Sequence, residues 1–218
     1  GIGRAVAERF AAEGAEVLLV GRTVGALEEV YDTIVAKGGK AVGIPLDLAE
    51  GAKIDELAAA VYQRWERLDV LVGNAAEVGV QSPVTHGDPA QWAQVFAVNL
   101  HANFRPIRGL DPLLRASGSG RAVFVTDPIA REATPFGSAY AASKSALETM
   151  VRMYAGETTD RSGLKVNLLS LAPVRTGLRA FRFPGEKPET VRPPETVTGA
   201  FVALAEAACR HHGELVEA

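Results

Sequence analysis

The amino-acid sequence predicts an α/β fold in which one parallel sheet is covered by helices on both faces. Short apolar runs alternate with amphipathic stretches of helical period along nearly the whole chain, which is the pattern of a doubly wound sheet. The apolar runs are continuous rather than alternating, as is typical of strands buried on both faces. With 218 residues and a hydrophobic content of 47%, the chain is long enough for one well-packed domain over residues 1–218.

The predicted elements follow one another in a regular order. A first helix runs from Arg4 to Phe10 and ends near Gly14, a residue suited to terminating a helix. Further helices are predicted over residues 24–37, 53–67, 89–115, 137–157 and 195–210. Strands are predicted over residues 16–20, 40–44, 68–72, 121–126 and 165–170, with a last short one near residue 214. A polar, proline-rich insert occupies residues 176–194.

The first three residues form an unusual start for this fold. Gly1-Ile2-Gly3 leads directly into a helix, whereas an apolar strand normally precedes such glycines. We therefore expect the first strand and half of a glycine loop to lie upstream, and the absent strand would be central and leave two unpaired edges. Glycines at a helix N-terminus let a phosphate approach the free N–H groups, although a plain helix cap explains them equally well.

The composition argues against several classes of partner. A net charge of −3 and a sequence pI of about 5.9 do not suit a surface that binds nucleic acid or an anionic membrane. The one cysteine, Cys209, rules out an internal disulfide and fits a reducing compartment. With no transmembrane-length apolar run and no signal peptide, we expect a soluble cytoplasmic protein. The histidines, at positions 86, 101, 211 and 212, lack the grouping of a zinc site.

Tyr140 and Lys144 form the strongest chemical pattern in the sequence. They are four residues apart at the start of a predicted helix, so they lie one turn apart on the same face. An ammonium near a phenol lowers the tyrosine pKa from its usual value near about 10 and makes the hydroxyl a usable acid and base. A helix whose first turn carries an unrelated Tyr and Lys explains the pair equally well on these residues alone.

Four polar residues follow predicted strands or interrupt a helix where nucleotides bind such a sheet. Arg22 accommodates a ribose 2′-phosphate or is a solvated residue at a helix start. Asp47 accepts from an adenine amino group or caps a short turn. Asn74 allows close approach to a ribose or lies in an ordinary turn. Asn99, inside the helix over 89–115, is either a solvated or interface residue or an irregularity beside the active site.

Taken together, these positions resemble the short-chain dehydrogenase/reductase family, in its compact single-domain branch with a Rossmann-like fold. The matching pieces are Gly1-Ile2-Gly3, Asp47, Asn74-Ala75-Ala76, Asn99, Tyr140 with Ser143 and Lys144, and the stretch from Val166-Asn167 to Thr176. The insert at 183–195 is similar to the tail of poorly characterised bacterial oxidoreductases of this family.

The resemblance implies hydride transfer between NADP(H), preferred over NAD(H), and a small carbonyl compound or secondary alcohol. It implies that Tyr140 is the acid/base, that Lys144 holds the nicotinamide ribose and that Asn99 anchors a relay water. It also implies a substrate lid over residues 176–194 and a homodimer or homotetramer. The implied cofactor-binding residues are Gly1, Ile2, Gly3, Arg22, Asp47, Leu48, Asn74, Ala75, Ala76, Tyr140, Lys144, Pro173, Val174 and Thr176.

The sequence departs from the family pattern at the reaction centre. Asp127 occupies the position, thirteen residues before Tyr140, where the family has a serine. An ionised carboxylate only accepts hydrogen bonds and repels negative charge on a substrate oxygen, whereas a protonated Asp127 would donate as the serine does. Leu171-Ala172 replaces a Pro-Gly, and Ala76 replaces a glycine. A catalytically impaired dinucleotide-binding homologue is therefore the alternative hypothesis.

Overall fold

A computed structural model describes residues 1–132, 134–159 and 162–218 of the chain. These residues form six strands and eight α-helices, and every strand pair is parallel. The strands are β1 (Glu16–Gly21), β2 (Lys40–Pro45), β3 (Val70–Gly73), β4 (Arg121–Thr126), β5 (Lys165–Ser170) and β6 (Leu215–Glu217). The helices are α1 (Ile2–Ala12), α2 (Val24–Ala36), α3 (Gly51–Arg64), α4 (Pro89–Phe96), α5 (Ala102–Ala116), α6 (Ser138–Glu157), α7 (Gly177–Arg182) and α8 (Thr198–Ala205).

The central strand β4 shows that helices cover both faces of the sheet. Every residue of β4 is buried, and successive side chains of a strand point to opposite faces. Phe124 packs with Leu147 of α6 in one core cluster, whereas Val123 packs with Phe201 of α8 in another. The predicted Rossmann-like α/β fold in a single domain is confirmed.

The parallel strands of the described residues are divided between two sheets. The strands form a two-stranded sheet, β1-β2, and a four-stranded sheet, β3-β4-β5-β6. An apolar cavity of about 960 Å³ lies between β1 and β3 and is lined by side chains of both strands, such as Leu18 and Leu71. Helix α1 and helix α5 also line this cavity, through Phe10 and Leu110 among others.

The helix predicted over residues 89–115 is interrupted in the middle. It begins at α4, where the Asp88 carboxylate accepts from the N–H of Ala90 and Pro89 takes the first helical position. A π-helical turn over Ala97–His101 then separates α4 from α5. This wider turn contains Asn99, and such turns often occur at functional sites.

The helix predicted over residues 195–210 is also shorter than expected. It consists of a 3₁₀ turn over Pro194–Val197 and α8, which ends at Ala205. The buried guanidinium of Arg121 donates to the carbonyl oxygens of Glu206 and Ala207, so the carbonyls after the helix end are satisfied without another helical turn. The partner lies 85 residues away in sequence, which a local pattern does not reveal.

Candidate active site

A cavity of about 570 Å³ opens at the carboxyl ends of the strands. Its walls come from the N-terminus of α1, the ends of β1 and β4, the loops after β2, β3 and β5, and helices α6 and α7. The fourteen residues implied as cofactor ligands all line it: Gly1, Ile2, Gly3, Arg22, Asp47, Leu48, Asn74, Ala75, Ala76, Tyr140, Lys144, Pro173, Val174 and Thr176. Asp127 lines it as well, whereas Asn99 is not among the lining residues.

The glycines at the start of α1 bring this helix close to the loop after β3. A Cβ atom at Gly3 would lie 2.8 Å from Nδ2 of Asn74, so a larger residue there would displace the Asn74 side chain. No side chain caps the first turn of α1, and the free N–H groups of such a turn suit a phosphate. This end of the cavity therefore fits the phosphate part of a dinucleotide.

Gly73 is required for the position of Asn74. A Cβ atom at Gly73 would overlap with Oδ1 of Asn103 and with the ring of Phe124, which lie on α5 and β4. The end of β3 therefore contacts both elements closely, and this contact places the following residues on the cavity wall.

Arg22 and Asp47 lie at the far side of the same cavity. Arg22 is exposed directly after β1, where a guanidinium is accessible to a 2′-phosphate. Oδ1 of Asp47 accepts from the N–H of Ala49 at 2.9 Å, which is the turn-capping role considered for this residue. Leu48 packs beside the buried cluster of Leu46 and Ile54.

Tyr140 and Lys144 lie on the first turns of α6 and are 4% and 2% exposed. Nζ of Lys144 donates to the carbonyl oxygen of Val125 at 2.8 Å and lies 5.9 Å from the centre of the Tyr140 ring. Burial lowers the pKa of Lys144 to about 8, although the carboxylates of Asp127 and Glu148 oppose this shift.

The expectation of a lowered Tyr140 pKa is wrong for this structure. Burial raises the pKa of Tyr140, and so does the carboxylate of Asp127, which accepts a hydrogen bond from the hydroxyl; the positive charge of Arg182 counteracts them in part. Tyr140 is therefore a neutral phenol near pH 7, with its proton available for donation.

Asp127 lies beside the Tyr140 hydroxyl at the end of β4. Its Oδ2 atom is 3.4 Å from the hydroxyl oxygen and 3.3 Å from Nη1 of Arg182. Its Oδ1 atom accepts from the N–H of Ile129 and so caps the 3₁₀ turn over Pro128–Ala130. The neighbouring Thr126 hydroxyl donates to buried Glu148, so this hydroxyl does not replace the missing serine.

Asn99 is fully buried behind the cavity. The side-chain oxygen of Asn99 accepts from the N–H of Glu77, and its side-chain nitrogen donates to the carbonyl oxygen of Glu77 and to the Ser143 hydroxyl. The backbone carbonyl oxygen of Asn99 accepts from the side chain of Asn103. The residue is thus the irregularity considered in the sequence, and it joins the loop after β3 to α6. Its proposed contact with a relay water stays a prediction.

The segment after β5 completes the cavity. Leu171 packs beside the core cluster of β4 and α8, and the N–H of Ala172 donates to Ala218. The hydroxyl of Thr176 accepts from the N–H of Arg179 and caps α7. Thr176 also lies close to Gly1: a Cβ atom added to Gly1 would lie 3.8 Å from the methyl group of Thr176.

One cavity residue had no assigned role in the sequence analysis. Arg182 ends α7 and reaches the reaction centre from the insert, 55 residues after Asp127. A carboxylate where a serine is expected calls for a nearby cation, and Arg182 is one of the basic residues of the insert.

The comparison with known proteins agrees with this geometry. The sequence matches the family model described as "short chain dehydrogenase" over residues 1–187. The chain belongs to the short-chain dehydrogenase/reductase family. As a member of this family, it is an NAD(P)-dependent oxidoreductase.

Relatives within the short-chain dehydrogenase/reductase family match most of the chain. The uncharacterized oxidoreductase YciK of Escherichia coli (strain K12) is 33% identical over 207 residues, which are 94% of this chain and 81% of the relative. A D-beta-hydroxybutyrate dehydrogenase of Rhizobium meliloti (strain 1021) is 31% identical over 190 residues, 85% of this chain and 72% of the relative. The crystal structure of a short chain dehydrogenase from Escherichia coli CFT073, complexed with NADPH, has a TM-score of 0.94 at 32% identity and covers 100% of this chain and 91% of its own.

Within residues 1–132, 134–159 and 162–218, no cluster of three or more His, Cys, Asp or Glu side chains is placed to hold a metal ion. In the same part of this short-chain dehydrogenase/reductase chain, no helix has the length and apolar character needed to cross a membrane.

Proposed function

We propose that the protein uses NADP(H) to interconvert a small carbonyl compound and a secondary alcohol, with Tyr140 as the acid/base and Lys144 beside it. One observation carries this proposal: the Tyr140 hydroxyl and the Lys144 ammonium line the same cavity as the N-terminus of α1 and the guanidinium of Arg22. A phosphate-binding end and a proton-donating end are thus parts of one site.

The residues of this cavity fit a dinucleotide. Gly1, Gly3 and the first turn of α1 would hold the diphosphate, and Arg22 would hold the 2′-phosphate that distinguishes NADP from NAD. Asp47 and Asn74 would line the adenine and ribose parts, while Pro173, Val174 and Thr176 would line the nicotinamide. When bound, the reduced nicotinamide supplies the hydride for the carbonyl carbon and is itself oxidised.

The side chains of the protein handle the proton. The phenol of Tyr140 gives its proton to the carbonyl oxygen, while the carbonyl carbon receives the hydride. The resulting phenolate then takes a proton back from solvent, which restores Tyr140. The raised pKa of Tyr140 keeps it protonated at neutral pH, which is the form that donates a proton in the reduction. Lys144, next to it on α6, would offset the charge of the phenolate.

We assign the role of a substrate lid to the insert over residues 176–194, within the domain of residues 1–218. Helix α7 lines the cavity, and the carbonyl oxygen of Arg182 accepts from the side chain of Gln81 in the segment after β3. Closing this insert would exclude water from the reaction centre.

The proposal also includes a homodimer or homotetramer and a location in the cytoplasm. Phe104 on α5 and Met153 on α6 are exposed, and they suit the proposed homodimer or homotetramer interface on these helices. A free cysteine, Cys209, and an NADP(H) cofactor suit the reducing conditions of the cytoplasm.

The test is an assay of nicotinamide absorbance with a panel of aldehydes, ketones and 3-oxo acids, the last because one relative is named a D-beta-hydroxybutyrate dehydrogenase. Tyr140→Phe removes only the hydroxyl, and we expect it to lower the rate by about 10²- to 10⁴-fold while NADPH affinity, measured by fluorescence, is retained. Tyr62→Phe, at an exposed position of α3, is the matched control with unchanged rate. Absence of turnover on the whole panel, or an active Tyr140→Phe variant, refutes the proposal.

A second candidate follows from the carboxylate of Asp127 next to the Tyr140 hydroxyl. If this acceptor disables the proton donor, the protein binds the dinucleotide without rapid chemistry. Asp127→Ser then restores a missing donor, and the rate rises by about 10²- to 10³-fold.

A further inference from the structure

The carboxylate of Asp127 poses an electrostatic problem at the reaction centre. During reduction, negative charge develops on the substrate oxygen that receives the proton of Tyr140. A carboxylate whose Oδ2 atom lies 3.4 Å from the Tyr140 hydroxyl repels that charge and also holds the phenolic proton. A site that uses Tyr140 as an acid therefore needs a compensating donor or positive charge at the same place.

Arg182 meets this requirement through its position. Its Nη1 atom is 3.3 Å from Oδ2 of Asp127, the same oxygen that faces the Tyr140 hydroxyl. Its guanidinium carbon lies 5.3 Å from the centre of the Tyr140 ring, and its side chain is only 11% exposed. Two proton-bearing groups, one phenol and one guanidinium, thus converge on a single oxygen atom.

The guanidinium of Arg182 also has N–H groups that make no hydrogen bond within the described residues. Among the described residues, the hydrogen bond to Asp127 is the only one that the Arg182 side chain makes. A guanidinium carries five N–H donors and stays charged at every accessible pH. The neighbouring Arg179 differs, because Glu186 holds it through two hydrogen bonds.

The geometry points to Arg182 as a further catalytic residue: paired with Asp127, it donates a hydrogen bond to the substrate oxygen and stabilises its negative charge, in the role of the absent serine hydroxyl. This inference rests on the proposed function. Because Arg182 lies at the end of α7, the stabilising charge reaches the reaction centre only while this part of the insert lies over the cavity.

The proton and electron balance of the reaction is unchanged by this role. Arg182 forms no covalent bond and gives up no proton. The carbonyl carbon still gains a hydride and its oxygen gains the proton of Tyr140, and the guanidinium acts only on the charge that develops between these events.

The experiment is a double-mutant cycle of Asp127 and Arg182, assayed with the best carbonyl substrate of the panel. In the natural background, we expect Arg182→Ala to lower kcat by about 10²-fold, because it leaves the Asp127 charge uncompensated next to the substrate oxygen. In the Asp127→Ser background, the same change lowers kcat by less than about threefold, because the serine hydroxyl is a donor and no carboxylate is present. Lys40→Ala removes an exposed cation at the start of β2 and leaves both rates unchanged.

Chemical rescue separates this role from a structural one. Guanidinium chloride, far below denaturing concentrations, is expected to restore part of the kcat of Arg182→Ala and none of that of Tyr140→Phe.

The outcomes distinguish this inference from the proposed function. If the natural protein turns over substrate and Tyr140→Phe does not, the proposed function stands. An Arg182→Ala loss of equal size in both backgrounds, without guanidinium rescue, then overturns the role of Arg182 alone. Absence of any turnover by the natural protein overturns both.

Discussion

The hydroxyl oxygen of Tyr140 lies 3.4 Å from Oδ2 of Asp127, so the proposed proton donor faces a group that only accepts. The same carboxylate oxygen also faces the guanidinium of Arg182 at 3.3 Å. The proposed reaction centre therefore combines a phenol on α6, a carboxylate directly after β4 and a guanidinium on α7. It differs from the two-hydroxyl arrangement that the family resemblance implies.

Replacement of the carboxylate measures how well Arg182 compensates for it. If the guanidinium already stabilises the substrate oxygen, Asp127→Ser changes kcat by less than about tenfold, because the new donor duplicates an existing one. Steady-state kinetics of the purified variant, beside Asp88→Ser at a helix cap distant from the cavity, give the comparison. A gain of about 10²-fold or more would favour the impaired-enzyme alternative.

The pH dependence of reduction is expected to follow Lys144. Burial lowers its pKa to about 8, so the ammonium is present below that pH and is lost as the pH rises through it. Since the ammonium offsets the charge of the Tyr140 phenolate, kcat/KM for reduction should fall above about pH 8. A variant with Lys144→Arg stays charged across this range and is expected to be slower and without the inflection. An inflection that persists in Lys144→Arg assigns the titration to another group.

The choice of cofactor is expected to depend on Arg22. Arg22→Ser removes the charge available to a 2′-phosphate, and we expect KM for NADPH to rise by roughly 10- to 100-fold, the loss of a charge-assisted hydrogen bond. KM for NADH should change little, because NADH has no phosphate there. Lys40→Ser, at the opposite end of the two-stranded sheet, is the matched control. Equal effects on both cofactors would place the 2′-phosphate elsewhere.

The tight contact at Gly73 predicts a loss of stability on substitution. An alanine Cβ there overlaps with Asn103 and Phe124, both of them buried, so Gly73→Ala should lower the free energy of unfolding by about 1–3 kcal/mol. Gly156→Ala places its Cβ in open space on α6 and is expected to stabilise by up to about 1 kcal/mol. Urea denaturation gives the free energy of unfolding of each variant. Equal values for the two variants would contradict a tight contact at Gly73.

The sequence predicted the fold and most of the cavity because both depend on local spacing. Tyr140 and Lys144 are one helical turn apart, and Asp127 directly follows the preceding strand, so their proximity follows from the order of elements. The role of Arg182 was missed because it depends on how the insert folds back across 55 residues. The direction of the Tyr140 pKa was missed because burial, which spacing does not reveal, outweighs the neighbouring ammonium.

The buried amide of Asn99 makes the loop after β3 and helix α6 move as one unit. Its side chain pairs with both backbone groups of Glu77 and donates to the Ser143 hydroxyl on α6. Ser143 lies between Tyr140 and Lys144 on that helix. A displacement of the loop would therefore be transmitted through this hydrogen-bond network to the two residues proposed for the chemistry.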